Sequence, residues 1–244
     1  HGAGEEGDGE FAVELEDMTE SEQSYLPNTA ILRTVLRSAK GAVEIVDFCP
    51  RFTAYGRSFR PQMLVRQVRR IEGSPRVRMR LKPRFQWGEV APTLTRGSNH
   101  VRFVGPEQNM RLTTDAPIDH VLDGRMINLE GEMTFILGPD ETLSDSPEQI
   151  GTTFRTKTTR YWQRWTQRLA IPFEWQEAVI RAAITLKLCS YEATGGVIAA
   201  ITTSLPEAPD SGRNWDYRYC WVRDAFFTVR ALNSLAATRT LEHY

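Results

Sequence analysis

The stretch EMTFILGPD, residues 132–140, marks the point where the residue pattern of this 244-residue chain changes. Its first six residues are mostly β-branched, aromatic or apolar, which predicts a short strand. The turn residues Gly138-Pro139-Asp140 then end that strand. We therefore predict strands before this point and helices after it.

Many short strands are predicted ahead of the turn. Residues 31–37 and 43–48 are rich in β-branched and apolar side chains, and the turn at residues 38–41 predicts that they form a hairpin. Residues 77–82 alternate strictly between apolar and basic side chains, as a strand with one buried face does. Further predicted strands lie at residues 11–16, 63–68, 100–104, 109–114 and 132–137. Short strands at this spacing predict a β-sandwich.

Three helices are predicted after the turn. Ser146 followed by Pro147 is typical of a helix start, and this first helix extends over residues 148–169. The second, residues 173–191, has apolar side chains at three- and four-residue steps, which makes one buried face. The third covers residues 223–237.

The change of pattern divides the chain into three parts. We assign residues 1–140 to a β-sandwich domain with an incomplete N-terminus, residues 141–171 to a linker helix, and residues 172–244 to the start of a helical domain. So few helices do not make a complete helical domain. We therefore expect that the C-terminal domain is truncated.

Composition disfavours several function classes. The 30 basic and 31 acidic residues give a net charge of -1, which does not favour attraction to nucleic acid or to an anionic membrane. No apolar run approaches the roughly 20 residues of a membrane helix. The nine basic residues between Arg60 and Arg84 alternate along a strand and have only Phe59 and Phe85 beside them. We interpret them as a solvated sheet face, because a nucleic-acid surface needs interleaved aromatic side chains.

The cysteine and histidine residues predict neither disulfides nor a metal site. Cys49, Cys189 and Cys220 are odd in number and far apart. We interpret them as buried free thiols of a protein in a reducing compartment, the cytoplasm. The polar start of the chain shows no signal peptide. The four His have no ligand-type spacing, so we predict no metal and no cofactor.

The connection between the second and third helices, residues 195–221, ends in aromatic residues interleaved with Arg and Asp. Connections longer than about 15 residues are usually functional or disordered. A pyranose ring packs its C–H face on a flat aromatic surface, while Arg and Asp bind hydroxyl groups in a fixed geometry. The pattern therefore fits a sugar pocket. Core packing and a structural ion pair fit the same residues, so composition alone leaves both interpretations open.

The run RNWDYRYCWVRDA, residues 213–225, resembles the signature at the first helical hairpin of glycoside hydrolase family 15, the glucoamylase-like family. Residues 194–200, 203–207, 25–32 and 46–50 are also similar to bacterial members of that family. The resemblance covers nearly the whole chain. It implies an N-terminal β-sandwich followed by an (α/α)6 catalytic barrel, a six-hairpin barrel of which this chain would contain the truncated start.

The same resemblance implies roles for four residues. Arg223 and Asp224 match the Arg-Asp pair that binds hydroxyl groups of the terminal glucose. Tyr217 matches an aromatic residue beside that glucose, and Trp221 matches the Trp two residues before the Arg. Support and packing are predicted for three others: Trp215, Tyr219 and Cys220.

The groups that would break the glycosidic bond are not predicted within this chain. Hydrolysis with inversion uses one carboxylic acid and one carboxylate, and in members of the family both lie further along the barrel. We therefore assign no catalytic role to Glu207, Asp216 or Asp224. The predicted protein is an inverting, exo-acting hydrolase that releases glucose from an α-glucan or a small α-glucoside. The 244-residue chain by itself is expected to be inactive.

Three alternatives stay open. The first is a trehalase of the same family. The second is a glycoside phosphorylase of similar architecture, which uses phosphate in place of water, and the third is a non-catalytic carbohydrate-binding protein. Each has a sugar as its partner, and none involves nucleic acid or a membrane. The sequence predicts no oligomeric state.

Overall fold

A computed structural model describes residues 9–191, 194–201, 212 and 215–237. The chain divides into two compact units, His1–Tyr161 and Trp162–Tyr244. The strands are β1 (Glu10–Leu15), β2 (Met18–Tyr25), β3 (Leu32–Ser38), β4 (Gly41–Phe48), β5 (Phe52–Ala54), β6 (Arg57–Phe59), β7 (Leu64–Gly73), β8 (Arg76–Lys82), β9 (Thr93–Arg96), β10 (His100–Val104), β11 (Asn109–Thr114), β12 (Met126–Asn128) and β13 (Glu132–Pro139). The helices are α1 (Ile118–Asp123), α2 (Pro147–Thr166), α3 (Gln176–Leu188) and α4 (Val222–Ser234), with a short 3-10 helix at Gln86–Gly88.

The first unit is built around a large antiparallel sheet. Its eight strands follow the order β2-β3-β4-β7-β13-β11-β10-β9, and β1, β8 and β12 form a separate three-stranded sheet. Buried side chains of both sheets belong to one apolar core, which includes Phe103 and Phe135 from the larger sheet and Val77 and Met79 from the smaller. This arrangement agrees with the predicted N-terminal β-sandwich.

The apolar alternation in the sequence identified most of the central strands. The predicted hairpin is confirmed, since β3 and β4 pair in antiparallel register up to Ser38 and Gly41. In β8 the side chains of Val77, Met79 and Leu81 are buried, as the alternation predicts. Strand β2 was not predicted, because all eight of its side chains are exposed at the edge of the sheet and show no apolar alternation.

The basic side chains of β8 face glutamates of β1. Nη2 of Arg80 lies 2.6 Å from Oε1 of Glu10, and its Nε lies 3.0 Å from Oε1 of Glu14. Nη1 of Arg76 lies 2.8 Å from Oε1 of Glu16, the residue directly after β1. Cross-strand pairs of opposite charge stabilise a sheet modestly. The basic side chains of β8 are exposed or half-buried, in agreement with the predicted solvated sheet face.

Helix α2 packs on the face of the larger sheet opposite the shared core. Its residue Ile150 lies in a second apolar cluster with Val65 and Ile136 of the sheet. The predicted helix start is confirmed, because the backbone N–H of Gln149 donates to Oγ of Ser146 at 3.3 Å.

Gly151 permits this close approach of helix to sheet. A Cβ atom added there would lie 2.8 Å from Cγ2 of Thr134 and 3.2 Å from Nε2 of Gln67, which are both buried. We expect Gly151→Ala to lower the free energy of unfolding by about 1–3 kcal/mol through overpacking. This cost exceeds the gain in helix propensity, which is about 1 kcal/mol.

Urea denaturation measures this effect. Gly131→Ala is the matched control, because a Cβ atom added at Gly131 meets nothing within 4 Å. A Gly151→Ala protein more stable than the wild type would show that helix propensity prevails and that the contact is looser than described.

The second unit contains α3, α4 and the end of α2. Leu169, Ala183 and Leu232 are buried together in its core. Helix α3 is shorter than the predicted 173–191. Trp175 has a φ of 61°, a left-handed conformation that cannot continue an α-helix towards the N-terminus. Among the described residues, none of the helices is long and apolar enough to cross a membrane. Three helices do not test the predicted (α/α)6 barrel, which stays a prediction.

The three cysteines are free thiols, as predicted. The prediction that all of them are buried is wrong for Cys49 and Cys220, which are exposed. Cys189 is buried, and this burial raises the pKa of its thiol.

Candidate functional site

The predicted sugar-binding residues lie in the segment 215–224, which leads into α4. We call it the site segment. The first two residues of the motif, Arg213 and Asn214, lie outside the described residues, and so does the stretch 203–207. The four residues to which a binding role is assigned, Tyr217, Trp221, Arg223 and Asp224, all lie within the described residues.

Backbone pairing with the residues after α3 holds the site segment in place. Ile198 and Cys220 form an antiparallel bridge. The N–H of Ala200 donates to the carbonyl oxygen of Tyr217 at 2.8 Å, and the N–H of Ile198 donates to that of Cys189 at 3.0 Å. Sequence reasoning treated these residues as part of a long loop. The β-branched, apolar run at 197–201 is the signal that could have predicted this short pairing.

Two aromatic rings of the site segment lie flat against each other. The ring centroids of Tyr217 and Trp221 are 5.9 Å apart with an interplanar angle of 17°. Trp215 meets Trp221 edge-on, with centroids 6.3 Å apart. Tyr217 and Trp221 are half-buried, so each is held by the protein and still reachable from solvent. The packing role predicted for Tyr219 and Cys220 is wrong for their side chains, which are exposed.

Arg223 and Asp224 follow directly, in the first turn of α4. Nη2 of Arg223 lies 3.2 Å from Oδ2 of Asp224, and its guanidinium carbon lies 5.9 Å from the ring centroid of Trp221. The next residue, Ala225, is fully buried and fixes this turn. An acidic side chain here is also favoured by the helix dipole. The fold thus brings all four predicted binding residues into one small region.

The Arg223–Asp224 pair contributes little to stability. The two side chains are 70% and 32% exposed, respectively, and exposed ion pairs are typically worth about 1 kcal/mol or less. Its guanidinium donors and carboxylate acceptors remain reachable by a ligand. Charge-assisted hydrogen bonds to sugar hydroxyls are stronger, at about 1.5–3 kcal/mol each.

Asp216 is poorly suited to act as a general acid. Hydrogen bonds from the side chain and the backbone of Arg218 lower the pKa of its carboxyl group. A glycosidase acid needs a raised pKa so that it carries a proton near neutral pH. This agrees with leaving Asp216 without a catalytic role. Glu207 lies outside the described residues. The described part of the chain contains no group of three or more His, Cys, Asp or Glu side chains suited to a metal ion.

The chain matches one protein family and is similar to several known proteins. Residues 175–243 match the family described as glycosyl hydrolases family 15. A protein named trehalase from Thermoplasma acidophilum is 30% identical over 224 residues, which cover 89% of this chain and 38% of the relative. A trehalase from Mycobacterium tuberculosis is 30% identical over 202 residues, covering 75% and 29%. Trehalase 1 from Sulfolobus acidocaldarius is 30% identical over 230 residues, covering 92% and 38%. No solved structure matches significantly.

A β-rich unit followed by helices, with aromatic rings and paired charges at a helix start, fits the class of glycoside hydrolases. More particularly, the chain is similar to glucoamylase- and trehalase-like proteins of glycoside hydrolase family 15, as the resemblance predicted. The chain spans 38% of the length of the Thermoplasma acidophilum relative.

Proposed function

We propose that the protein is a trehalose hydrolase and that the site segment forms one wall of its glucose pocket. Sequence reasoning put an α-glucan hydrolase first and a trehalase second. The observation that reverses this order is the 30% identity, over most of the chain, to proteins named trehalase from three distant organisms. The family match includes the whole site segment.

The geometry of the wall suits one glucose unit. The stacked rings of Tyr217 and Trp221 leave an outward ring face as a flat surface for the C–H face of a pyranose ring. Arg223 supplies donors and Asp224 supplies acceptors beside that surface, so neighbouring hydroxyl groups can be bound in one orientation. In this proposal Arg223 and Asp224 bind the sugar, and other carboxyl groups break the glycosidic bond.

We propose that the two catalytic carboxyl groups lie outside the 244 residues. In an inverting enzyme they stand about 6.5–9.5 Å apart, with a water molecule between one of them and the sugar. We also propose that residues 1–140 form a β-sandwich domain, 141–171 a linker helix and 172–244 the start of an (α/α)6 barrel. Free thiols support a reducing compartment such as the cytoplasm.

The substrate is tested with protein expressed from its complete reading frame. Glucose release is measured with trehalose, maltose and soluble starch, each with and without inorganic phosphate. We expect trehalose to be the best substrate and phosphate to be unnecessary. Faster release from maltose or starch would favour the α-glucan hydrolase, and release only with phosphate would favour the phosphorylase.

The 244-residue chain alone is expected to release no glucose from any of these substrates, because the site segment binds sugar without supplying the acid and base. The same assay with this chain at equal concentration checks the point. Measurable release would place a catalytic carboxyl group within residues 1–244.

A further inference from the structure

We propose that Asp216 and Arg218 are positioning residues that hold the ring of Tyr217 flat against Trp221. We call the two residues the clamp. The proposal rests on the proposed glucose pocket and adds to it two residues that touch neither the sugar nor the reacting atoms. Their effect reaches the sugar through Tyr217.

Three hydrogen bonds join the clamp. Nε of Arg218 donates to Oδ1 of Asp216 at 3.0 Å, and its Nη2 donates to Oδ2 at 2.8 Å. The backbone N–H of Arg218 donates to Oδ1 as well, at 2.9 Å. The two-pronged side-chain pairing fixes the angle between guanidinium and carboxylate as well as their distance. The backbone bond closes a turn of the kind that Asp commonly forms with the residue two positions on.

Tyr217 lies between the two clamped residues. The clamp fixes its backbone on one side, and the bond from the N–H of Ala200 to its carbonyl oxygen fixes it on the other. A Tyr side chain has only a few allowed rotamers for a given backbone. The direction of the ring therefore depends on residues 216 and 218, and the observed direction is the one that stacks on Trp221.

The orientation of the Tyr217 ring also affects the other residues of the pocket wall. Trp221 is stacked on Tyr217 and has the guanidinium group of Arg223 5.9 Å from its ring centroid. If Tyr217 turned away, Trp221 would lose the contact on one face. The flat surface for the sugar ring and the hydrogen-bond donors of Arg223 would then no longer be held in a fixed relative position. Loss of such preorganisation weakens binding, because the ligand must then order the site.

The clamp is too exposed to serve mainly as a stability element. Its side chains are 35% and 31% exposed, and pairs of this kind contribute about 1 kcal/mol or less to folding. Breaking it should therefore leave the protein folded while it weakens sugar binding. If the pair mainly stabilised the fold, breaking it would instead destabilise the protein.

The chain contains a matched control with the same residue types and spacing. In α1 and the residues after it, Nη2 of Arg125 lies 2.7 Å from Oδ2 of Asp123, with side chains 63% and 38% exposed. This pair lies in the first unit, with no aromatic residue between its members. Asp123→Asn and Arg125→Lys thus reproduce the chemical change without altering the wall.

The test compares Asp216→Asn, Arg218→Lys and the double variant in protein from the complete reading frame. We expect each single variant to raise the KM for trehalose about tenfold while kcat changes less than about threefold. The double variant should show the same KM as the single ones, because both substitutions break one clamp. The control variants should match the wild type in both constants.

A second measurement does not depend on activity. Near-ultraviolet circular dichroism of the 244-residue chain reports the asymmetric stacking of Tyr and Trp rings. We expect Asp216→Asn and Arg218→Lys to weaken this signal equally, with an unchanged far-ultraviolet spectrum and an unfolding midpoint close to that of Asp123→Asn.

Each outcome decides one question. If the wild type does not cleave trehalose, the proposed function fails, while the circular dichroism still tests the clamp. If the wild type is active and all variants have equal KM values, the clamp proposal is overturned and the function stands. Additive losses in the double variant, or retained binding in Asp216→Asn alone, would mean that Arg218 contacts the sugar directly. Unfolding of the clamp variants but not of the controls would make the pair structural and also overturn the proposal.

Discussion

Asp224→Asn should lower kcat/KM for trehalose by about 10²- to 10⁴-fold if Asp224 is, as we propose, the charged acceptor of two hydroxyl groups, since such bonds are worth about 1.5–3 kcal/mol each. The substitution keeps the size of the side chain and replaces one carboxylate oxygen with an amide donor. Asp224 lies in the first turn of α4 beside Arg223, where the pair is reachable from solvent. Steady-state kinetics of the protein from its complete reading frame measures the loss.

Stability and activity should separate clearly in this variant. The Asp224–Arg223 pair is exposed enough that its loss should change the unfolding midpoint only slightly. Asp123→Asn is the control, since it also removes the charge of an Asp paired with a neighbouring Arg, and it should keep wild-type kinetics. A kcat/KM within about threefold of the wild type would remove Asp224 from the pocket.

Phe135→Ala should destabilise the β-rich unit by about 3–5 kcal/mol, since deleting a buried aromatic ring leaves a cavity that the surrounding strands cannot fill. Phe135 is fully buried in β13 and belongs to the core shared by both sheets. Its ring meets Phe11 of β1 edge-on, with centroids 6.4 Å apart and an angle of 72°. A typical domain is stable by only about 5–15 kcal/mol, so this single change removes much of the margin.

Urea denaturation followed by far-ultraviolet circular dichroism measures the effect of Phe135→Ala. Leu94→Ala is the matched control, because Leu94 also lies in a strand of the larger sheet but is exposed at its edge in β9. The control should change the free energy of unfolding by about 0.5 kcal/mol or less. Equal effects of the two substitutions would contradict the assignment of Phe135 to the core.

Pattern in the sequence was sufficient for the central strands and for the existence of α2, α3 and α4, whereas the short helix α1 was not predicted. Strands such as β8 alternate because one face is buried, and that burial leaves a period of two in the chain. Strand β2 escaped prediction for the converse reason, since pairing with β3 through the backbone demands no particular side chains. Backbone hydrogen bonds at an edge leave little trace in residue types.

The site shows the same division. The resemblance predicted binding roles for Tyr217, Trp221, Arg223 and Asp224. The fold brings these residues together, and their roles remain proposals. The order of substrates changed only after comparison with relatives named trehalase. Nothing in residue spacing distinguishes one α-glucoside from another, because a pocket is built from loops distant in the chain.

By itself the sequence determined which residues could form a sugar-binding wall, because aromatic rings, Arg and Asp carry their chemistry wherever they lie. It also determined the change from strands to helices at residues 132–140, because burial of one face sets the period of apolar side chains. Only the tertiary structure decided that Asp216 is bound by Arg218 and that Tyr217 lies flat on Trp221. The Asp216–Arg218 bond closes a local turn, but the pairing of residues 217–220 with 198–200 holds that turn in place, and residue types alone do not fix the angle between the two rings.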